Sequence, residues 1–296
     1  MDEDGFAGDF FGRQRVAIWG LGLMGGSLAL ALRESDSRVQ ITGIDPDEDT
    51  RTLALERGIV DAAFSPDALA SGVERLGVVD LIVLAAPVRA ILQTLADLPM
   101  LVDGQPVVLD LGSTKAEIVD AMNRLPDRFD PVGGHPMCGK EQSSLRHADA
   151  DLYRDAPFAL VAARRTSNRG KLLAESLARA IDACPLWIES DTHDRWVAAT
   201  SHVPFLLSGA MVRATPPEAA PLVGPGFRGM ARLSGGSTRM MMDILQTNRA
   251  NVRAALDRIR KALDEWDALL EHGDDAAIAA LLDETSQRYS TLKGDR

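Results

Sequence analysis

The feature that most constrains this chain is a glycine-rich run between an apolar strand pattern and a helical pattern. The run Gly20-Leu-Gly22-Leu-Met-Gly25 follows Arg15–Trp19, a short apolar segment typical of a buried parallel strand. Residues 27–33 then carry apolar side chains at helical density, and residues 39–44 return to a strand pattern that ends at Asp45. The sequence therefore predicts a βαβ unit whose first turn is built from glycine.

Strand and helix patterns continue to alternate up to about residue 188. Apolar strand patterns at 78–85, 106–111, 157–162 and 186–188 are separated by helical or glycine-rich segments. This alternation predicts an α/β fold with a parallel, doubly wound sheet of the Rossmann type. From about residue 189 only helical patterns follow, so we expect an all-helical C-terminal domain.

The glycines have separate roles in a dinucleotide-binding turn. Gly20 permits the tight turn, Gly22 lets the backbone approach a pyrophosphate, and Gly25 allows the helix to pack closely on the strand. Asp45 stands about 20 positions after Gly25, where a carboxylate accepts hydrogen bonds from a ribose 2′-hydroxyl and repels a 2′-phosphate. The sequence thus predicts NAD rather than NADP; the alternative is a tight turn with Asp45 capping a loop.

The predicted NAD site also includes the end of the strand at 78–85, because ligands of such folds bind at the carboxyl edge of the sheet. Its expected residues are Gly20, Leu21, Gly22, Leu23, Met24, Gly25, Asp45, Ala85, Ala86, Pro87 and Ser113. With this site, three segments are predicted: a disordered leader at 1–13, an NAD-binding Rossmann-type domain at 14–188 and a helical substrate and dimerisation domain at 189–296.

Two polar segments at strand ends are candidates for the chemistry. Asp110–Lys115 ends one strand and starts a helix, which places the Ser113 hydroxyl in the crevice; alternatively Ser113 or Thr114 caps that helix. Gly133–Gly139 is predicted to be a glycine-rich loop, stiffened by proline, at the end of another strand. An ordinary histidine pKa near 6.5 suits a base that removes a hydroxyl proton while a hydride leaves for a nicotinamide, so the histidine of this segment, His135, is the candidate base.

Several motifs, taken together and in order, resemble those of one enzyme family. They are Gly20-Leu-Gly-Leu-Met-Gly-Gly-Ser27, Asp110-Leu-Gly-Ser-Thr-Lys115, Gly134-His-Pro-Met-Cys-Gly139, Thr192-His-Asp194 with Ala199-Thr-Ser-His-Val-Pro204, and Gly226-Phe-Arg-Gly-Met-Ala-Arg232. By these motifs the chain resembles prephenate dehydrogenases and their arogenate dehydrogenase relatives, from Arg15 to about Leu292. The resemblance implies oxidative decarboxylation of prephenate with NAD, a step of tyrosine biosynthesis.

The resemblance also implies roles for individual residues. His135 resembles the base on the ring hydroxyl, and Ser113 resembles the group that orients that hydroxyl and the histidine. Arg232 resembles the arginine that binds a substrate carboxylate, a use that suits a planar guanidinium.

Residues at the substrate's side-chain end are implied in the same way. His202 resembles the family histidine there, although a buried histidine in an apolar helix is the alternative. Ser201 beside it could bind ligand or pack the helix, and Glu141 matches an acidic residue near the site. The chain departs from the family pattern at Gly229, where an aspartate is usual, and at Met241, where a tryptophan is common.

These departures bear on which substrate is preferred. Arg228 or Arg239 could supply a second positive group for a dianionic substrate. The alternatives left open are an arogenate (cyclohexadienyl) dehydrogenase and, from another class, a non-catalytic module that senses NAD. A thiol mechanism at Cys138 is not expected, since cofactor chemistry makes a covalent step unnecessary. The run Met240–Met242 is expected to be helix packing.

Composition excludes other classes of protein. The 296 residues carry 32 Lys and Arg against 43 Asp and Glu, a net charge of −11, so neither nucleic acid nor an anionic membrane surface is an expected partner. Two cysteines and no paired metal-ligand spacing predict no metal site and a reducing compartment. Without a signal-peptide pattern at the start, we expect a cytoplasmic enzyme, and we expect it to be a homodimer through its helical part.

Overall fold

A mostly parallel, eight-stranded sheet forms the N-terminal part of the chain. The computed structural model describes residues 14–36, 38–140 and 142–293, so the leader predicted at residues 1–13 lies outside the described residues. Within them the strands are β1 Arg15–Trp19, β2 Gln40–Ile44, β3 Ala62–Phe64, β4 Leu81–Leu84, β5 Val107–Asp110, β6 Asp130–Pro136, β7 Pro157–Ala162 and β8 Cys184–Trp187. Their order across the sheet is β3-β2-β1-β4-β5-β6-β7-β8.

The first six strands have the doubly wound order 3-2-1-4-5-6 and all run parallel. The predicted α/β fold is therefore confirmed. The prediction of a wholly parallel sheet is wrong for the last two strands, because β7 runs antiparallel to β6 and β8 follows the direction of β7. An apolar strand pattern does not show in which direction the strand runs. Parallel neighbours need a crossover connection, usually a helix, whereas β6 and β7 are joined through two short 3₁₀ turns.

Helices cover both faces of the sheet. They are α1 Leu23–Ser35, α2 Glu48–Glu56, α3 Pro66–Ala70, α4 Val88–Leu101, α5 Ala116–Met122 and α6 Asn168–Ala180. In β1, Val16 and Ile18 pack in one core cluster with α1 and α6, whereas Ala17 and Trp19 pack in a second cluster with α4 and α5. A strand buried on both faces is apolar throughout, which is why β1 is recognisable in the sequence.

From Ser190 onward the described chain is helical. The helices are α7 Ser190–Val197, α8 Val203–Ala214, α9 Pro225–Ala231, α10 Thr238–Thr247, α11 Arg249–His272 and α12 Asp275–Lys293. A π-helix, Ala198–His202, joins α7 to α8, and 3₁₀ turns lie at Pro217–Leu222 and Arg232–Gly235. A small core of Ala198, Val203, Val252 and Ala255 holds these helices together.

The segment that carries His135 is a strand, which corrects the predicted loop. Residues 133–136 belong to β6, where His135 pairs with Ala159 of β7. Glycine is needed there for close approach: a Cβ at Gly134 would lie 2.5 Å from the carbonyl oxygen of Asp110. Sequence patterns assign paired glycines to turns, so the strand was missed.

Candidate active site

The glycine run forms the turn between β1 and α1, as predicted. Gly20 has a φ of +99°, and a Cβ there would lie 2.5 Å from the carbonyl oxygen of Ala85. A Cβ at Gly25 would lie 1.8 Å from the carbonyl oxygen of Gly20, so the helix packs directly on the turn. Gly22, by contrast, has open space around its Cβ position, and no side chain caps α1 there. The first amide groups of α1 thus face an open position that suits a pyrophosphate.

Asp45 directly follows β2, beside this turn. Its carboxylate accepts hydrogen bonds from the amide of Leu21, at 2.7 Å, and from the amide of Asp47, at 2.9 Å. Each carboxylate oxygen can accept more than one bond, so both remain able to accept from a ribose hydroxyl. Arg51, which sequence analysis did not associate with Asp45, donates to the backbone carbonyl of Asp45 at 2.7 Å.

The next two strands along the sheet end at the same edge. Ala85, Ala86 and Pro87 follow β4, and the loop after β5 carries Ser113. The Ser113 hydroxyl makes no hydrogen bond within the described residues and is partly exposed. Neither Ser113 nor Thr114 caps α5, which removes the capping alternative; Thr114 instead contacts the hydroxyl of Thr247 at 2.8 Å.

A buried ion pair connects the ends of β5 and β6. Lys115 bonds to the carboxylate of Asp110 and donates to the carbonyl oxygen of Gly134 at 2.6 Å, and both side chains are fully buried. Asp110 also accepts from the amides of Gly112, at 2.7 Å, and Gly134, at 3.1 Å. Burial raises the pKa of the Asp110 carboxyl against the opposing effect of Lys115, and burial lowers the pKa of Lys115. The pair fixes the strand position next to His135.

His135 lies near the end of β6 and is half-buried. Its Nδ1 is 2.9 Å from Nε2 of His193, and the two rings meet edge to face. The His135 Nε2 atom has no hydrogen-bond partner within the described residues and is therefore the nitrogen available to a ligand.

His193 and Asp194, on α7, complete a buried chain of polar contacts that sequence analysis missed. His193 Nδ1 is 2.8 Å from an Asp194 carboxylate oxygen. That carboxylate also accepts from the amides of Lys115, at 2.7 Å, and Ala116, at 2.9 Å, so it caps α5 across the junction. Thr192-His-Asp194 is among the motifs that carry the resemblance, but the sequence assigns no partner to His193.

His202 joins the same cluster from the π-helix. Its Nδ1 is 3.3 Å from Nδ2 of Asn248, which donates to the backbone carbonyl of Asp194 at 2.7 Å. His202 is buried, whereas the neighbouring Ser201 is exposed. Single turns of π-helix are rare and frequently occur at functional sites.

Burial keeps both candidate histidines neutral. The pKa of His135 is held well below its ordinary 6.5 by burial, and three neighbours that carry positive charge when protonated lower it further: His193, Lys115 and His202. Burial lowers the pKa of His202 to about 4, against the opposing effect of Asp194. The His135 ring is thus neutral at pH 7, with one of its two nitrogens able to accept a proton.

Two further candidate residues, Arg232 and Glu141, lie in the helical part or outside the described residues. Arg232 begins a 3₁₀ turn and is exposed; the turn is held by Ser208 of α8, which donates to the carbonyl of Ala231 at 3.0 Å and accepts from the amide of Ser234 at 2.9 Å. Glu141 lies outside the described residues.

The residues at the two departures have different surroundings. Gly229 is exposed with open space at its Cβ position, whereas Met241 is buried in α10. Arg228 and Arg239 are both exposed. Met240 and Met242 are each about half exposed (46% and 47%), so helix packing accounts for only the middle residue of that run.

Cys138 is a free, partly buried cysteine. Burial raises the pKa of its thiol to about 11, so the neutral form predominates at physiological pH. Among the described residues, no group of three His, Cys, Asp or Glu side chains could hold a metal ion. No helix in the described part of the chain has the length and apolar character to cross a membrane.

Comparison with known proteins identifies relatives for both halves of the chain. Residues 28–181 match the family model for the nucleotide-binding domain of prephenate dehydrogenase, and residues 189–284 match the model for its dimerization domain. The prephenate dehydrogenase of Bacillus subtilis (strain 168) is 30% identical over 262 residues, which is 86% of this chain and 67% of that protein.

Two solved structures have the same fold along nearly the whole chain. Prephenate dehydrogenase from Aquifex aeolicus, in complex with hydroxyphenyl propionate and NAD⁺, superposes with a TM-score of 0.84 at 27% identity, covering 93% of this chain and 97% of that one. Arogenate dehydrogenase from Synechocystis gives a TM-score of 0.80 at 25% identity, covering 94% of this chain and 99% of that one.

Proposed function

Because the chain belongs to the prephenate dehydrogenase family, we propose that it catalyses the NAD-dependent oxidative decarboxylation of prephenate to 4-hydroxyphenylpyruvate in tyrosine biosynthesis. One observation supports this most directly. At the carboxyl edge of the sheet that carries the glycine turn, His135 is neutral, and its Nε2 has no hydrogen-bond partner among the described residues. A neutral imidazole there can take the proton of the ring hydroxyl.

NAD is held by the turn between β1 and α1 and by neighbouring strand ends. The open space at Gly22 receives the pyrophosphate, Asp45 accepts from the ribose, and the residues after β4 line the rest of the site: Ala85, Ala86 and Pro87. When bound, NAD supplies the acceptor for the hydride that leaves the ring carbon.

The residues of the chain handle the proton. As the hydroxyl O–H bond breaks, His135 Nε2 forms the new N–H bond, and the electron pair left on oxygen supports formation of the C=O bond. The Ser113 hydroxyl, in the loop after β5, orients the ring hydroxyl. Loss of carbon dioxide and aromatisation make the overall step downhill.

The substrate's carboxylates are bound from the helical half. Arg232 pairs with a carboxylate through its planar guanidinium, which can donate two parallel hydrogen bonds. On the resemblance of their motifs, His202 is assigned to the side-chain end of the substrate, Ser201 to substrate binding beside it, and Glu141 to gating or positioning near the site.

We also propose the larger organisation of the enzyme. Residues 14–188 form the NAD-binding domain and residues 189–296 the helical substrate and dimerisation domain, through which two chains form a homodimer. We place the enzyme in the cytoplasm, since both cysteines are free in the structure.

The experiment that tests the function is an initial-rate assay of reduced-nicotinamide formation. Prephenate and arogenate are each tested against NAD and NADP. Turnover with prephenate and NAD is expected. Preference for arogenate would retain the mechanism and change the substrate, whereas NAD binding without turnover in any combination would favour the NAD-sensing module.

Two variants test the assigned residues. His135→Asn should keep NAD affinity and lose roughly 10²-fold in turnover, the usual size of a lost general base. Arg232→Gln should mainly raise the KM for prephenate. The exposed residues His147 and Arg213 provide matched controls, His147→Asn and Arg213→Gln.

A further inference from the structure

His193 and Asp194 form a dyad that sits behind His135, away from the nitrogen that faces the ligand. The side chains of both dyad residues are almost fully buried, at 2% exposure each. They come from α7, the first helix after the sheet, while His135 comes from β6. With so little exposure, His193 and Asp194 make their hydrogen bonds to other protein atoms.

The direction of these hydrogen bonds is set at the Asp194 end. Three donors converge on its carboxylate: the amides of Lys115 and Ala116 and the Nδ1 atom of His193. An ionised carboxylate only accepts hydrogen bonds, and backbone amides only donate. The Nδ1 atom of His193 must therefore carry a proton.

That assignment determines the next contact. An imidazole ring that carries its single proton on Nδ1 has a lone pair on Nε2, and in His193 that atom lies 2.9 Å from Nδ1 of His135. A hydrogen bond at this contact requires His135 to carry its proton on Nδ1. The lone pair of the neutral His135 ring is then on Nε2.

We infer that His193 and Asp194 are positioning residues, which hold His135 in the Nδ1-protonated form so that Nε2 is the base. This inference rests on the proposed function of His135. When Nε2 takes the hydroxyl proton, the positive charge spreads over the ring, and Nδ1 continues to donate to His193. No proton needs to leave the dyad during the step.

The first test observes the proton directly. Two-bond ¹H–¹⁵N correlation spectra of the imidazole rings report which nitrogen carries hydrogen, and the chain has only five histidines. The signal of His135 is assigned by its loss in His135→Asn. In the wild-type dimer we expect the proton on Nδ1 of His135. A proton found on Nε2 would overturn the inference, whatever the activity.

The second test separates positioning from packing with two replacements of His193. Glutamine can present an oxygen to His135 Nδ1 and an amide donor to Asp194, whereas phenylalanine fills the space and does neither. We expect His193→Phe to slow single-turnover formation of reduced nicotinamide by roughly 10²-fold, with His193→Gln recovering most of the loss. The KM values for prephenate and NAD should stay near wild type in both variants.

A third variant changes the hydrogen bonds of the dyad at Asp194, the residue farthest from His135. In Asp194→Asn the amide has only one oxygen, so its NH₂ group must face either Ala116 or the His193 ring. If it faces the ring, the proton of His193 moves to Nε2, and His135 loses its acceptor. We expect an Nε2-protonated population of His135 in this variant, with a lowered single-turnover rate. The exposed His147→Asn serves as the control and should change neither measurement.

The outcomes distinguish this inference from the proposed function. If His135→Asn keeps its turnover, the role of His135 as base fails, although the tautomer is still measured. If His135→Asn is inactive but His193→Phe and His193→Gln are equally impaired, the dyad only packs and the inference fails alone. Should a variant unfold, the wild-type tautomer decides the question.

Discussion

His202 shows how burial of a single side chain makes the free energy of unfolding depend on pH. The folded protein holds the pKa of His202 at about 4, against an ordinary value of 6.5. Between these values the unfolded chain binds a proton at this position and the folded chain does not. The contribution of neutral, buried His202 to the free energy of unfolding is therefore fully present above pH 6.5. It is lost as the pH falls toward 4.

We predict that His202→Asn flattens the acid side of the stability profile. The free energy of unfolding, measured in urea between pH 7 and pH 4, should fall less steeply with acidification than in the wild type, because the replaced group no longer titrates. His272→Asn, at an exposed position, is the control and should leave the slope unchanged. Equal slopes in His202→Asn and wild type would contradict the prediction.

We assign the choice between NAD and NADP to Asp45. A carboxylate and a phosphate about 4 Å apart repel each other by roughly 1–4 kcal/mol near a protein surface. Arg51 already lies against the Asp45 backbone, where it can attract a phosphate once the carboxylate is removed.

We predict that Asp45→Ser lowers the preference for NAD over NADP by about tenfold or more, measured as the ratio of kcat/KM values. Asp49→Ser removes an exposed negative charge from the same region and should leave the ratio near wild type. An unchanged ratio in Asp45→Ser would assign cofactor choice to other residues.

Prediction from sequence succeeds where the spacing of neighbouring residues determines which contacts a residue makes. Gly20 and Gly25 were predicted from spacing, and both are required by contacts of less than 3 Å in the structure. His193 could not be placed in the same way, because its partner His135 lies 58 positions away and the contact depends on how α7 docks on the sheet. A single sequence contains no information on that docking.

At the scale of elements, a buried ion pair and hydrogen bonds join the ends of β5 and β6 inside an apolar core. The strand pattern predicted β5, whereas the glycine-rich part of β6 was predicted to be a loop; its glycines instead admit the neighbouring strand. Lys115, an exposed residue type in most helices, reaches inward to Asp110 and Gly134. Burial of a lysine becomes visible only when the strands are assembled.

We predict that Lys115→Met lowers the free energy of unfolding by about 3 kcal/mol or more, because Asp110 would remain buried without its cation. Urea unfolding at pH 7 measures the loss. Arg260→Met breaks an ion pair of two exposed side chains on α11 and should cost less than about 1 kcal/mol. Similar losses in the two variants would show that Asp110 is satisfied by its backbone donors alone.

At the scale of the molecule, the helical half exposes apolar side chains that the sheet does not cover. Leu263 and Leu270, one heptad apart on α11, are 58% and 66% exposed, and Leu222 near the end of its 3₁₀ turn is 89% exposed. Surfaces of this kind mark protein interfaces. The change from alternating to helical patterns was readable in the sequence, whereas the exposed face required the packing of α7 to α12.

We predict that the protein sediments as a dimer of its 31.8 kDa chain, and that the double variant Leu263→Lys and Leu270→Lys shifts it toward monomer. Charged side chains are costly to bury in an interface without partners. Leu172→Lys, at an exposed leucine of α6, is the control and should sediment as the wild type does. A dimer that persists in the double variant would place the interface on another face.

The cap that Asp194 forms on α5 has a consequence for building hybrid enzymes. The two family models meet between residues 181 and 189, which invites exchange of whole halves between relatives. A crossover there separates the carboxylate from the amides of Lys115 and Ala116 that it binds. A chimera should therefore be active only when its second half comes from a relative whose loop corresponding to residues 112–116 has the same shape. Recombination libraries should keep that loop and the Asp194 segment from the same parent.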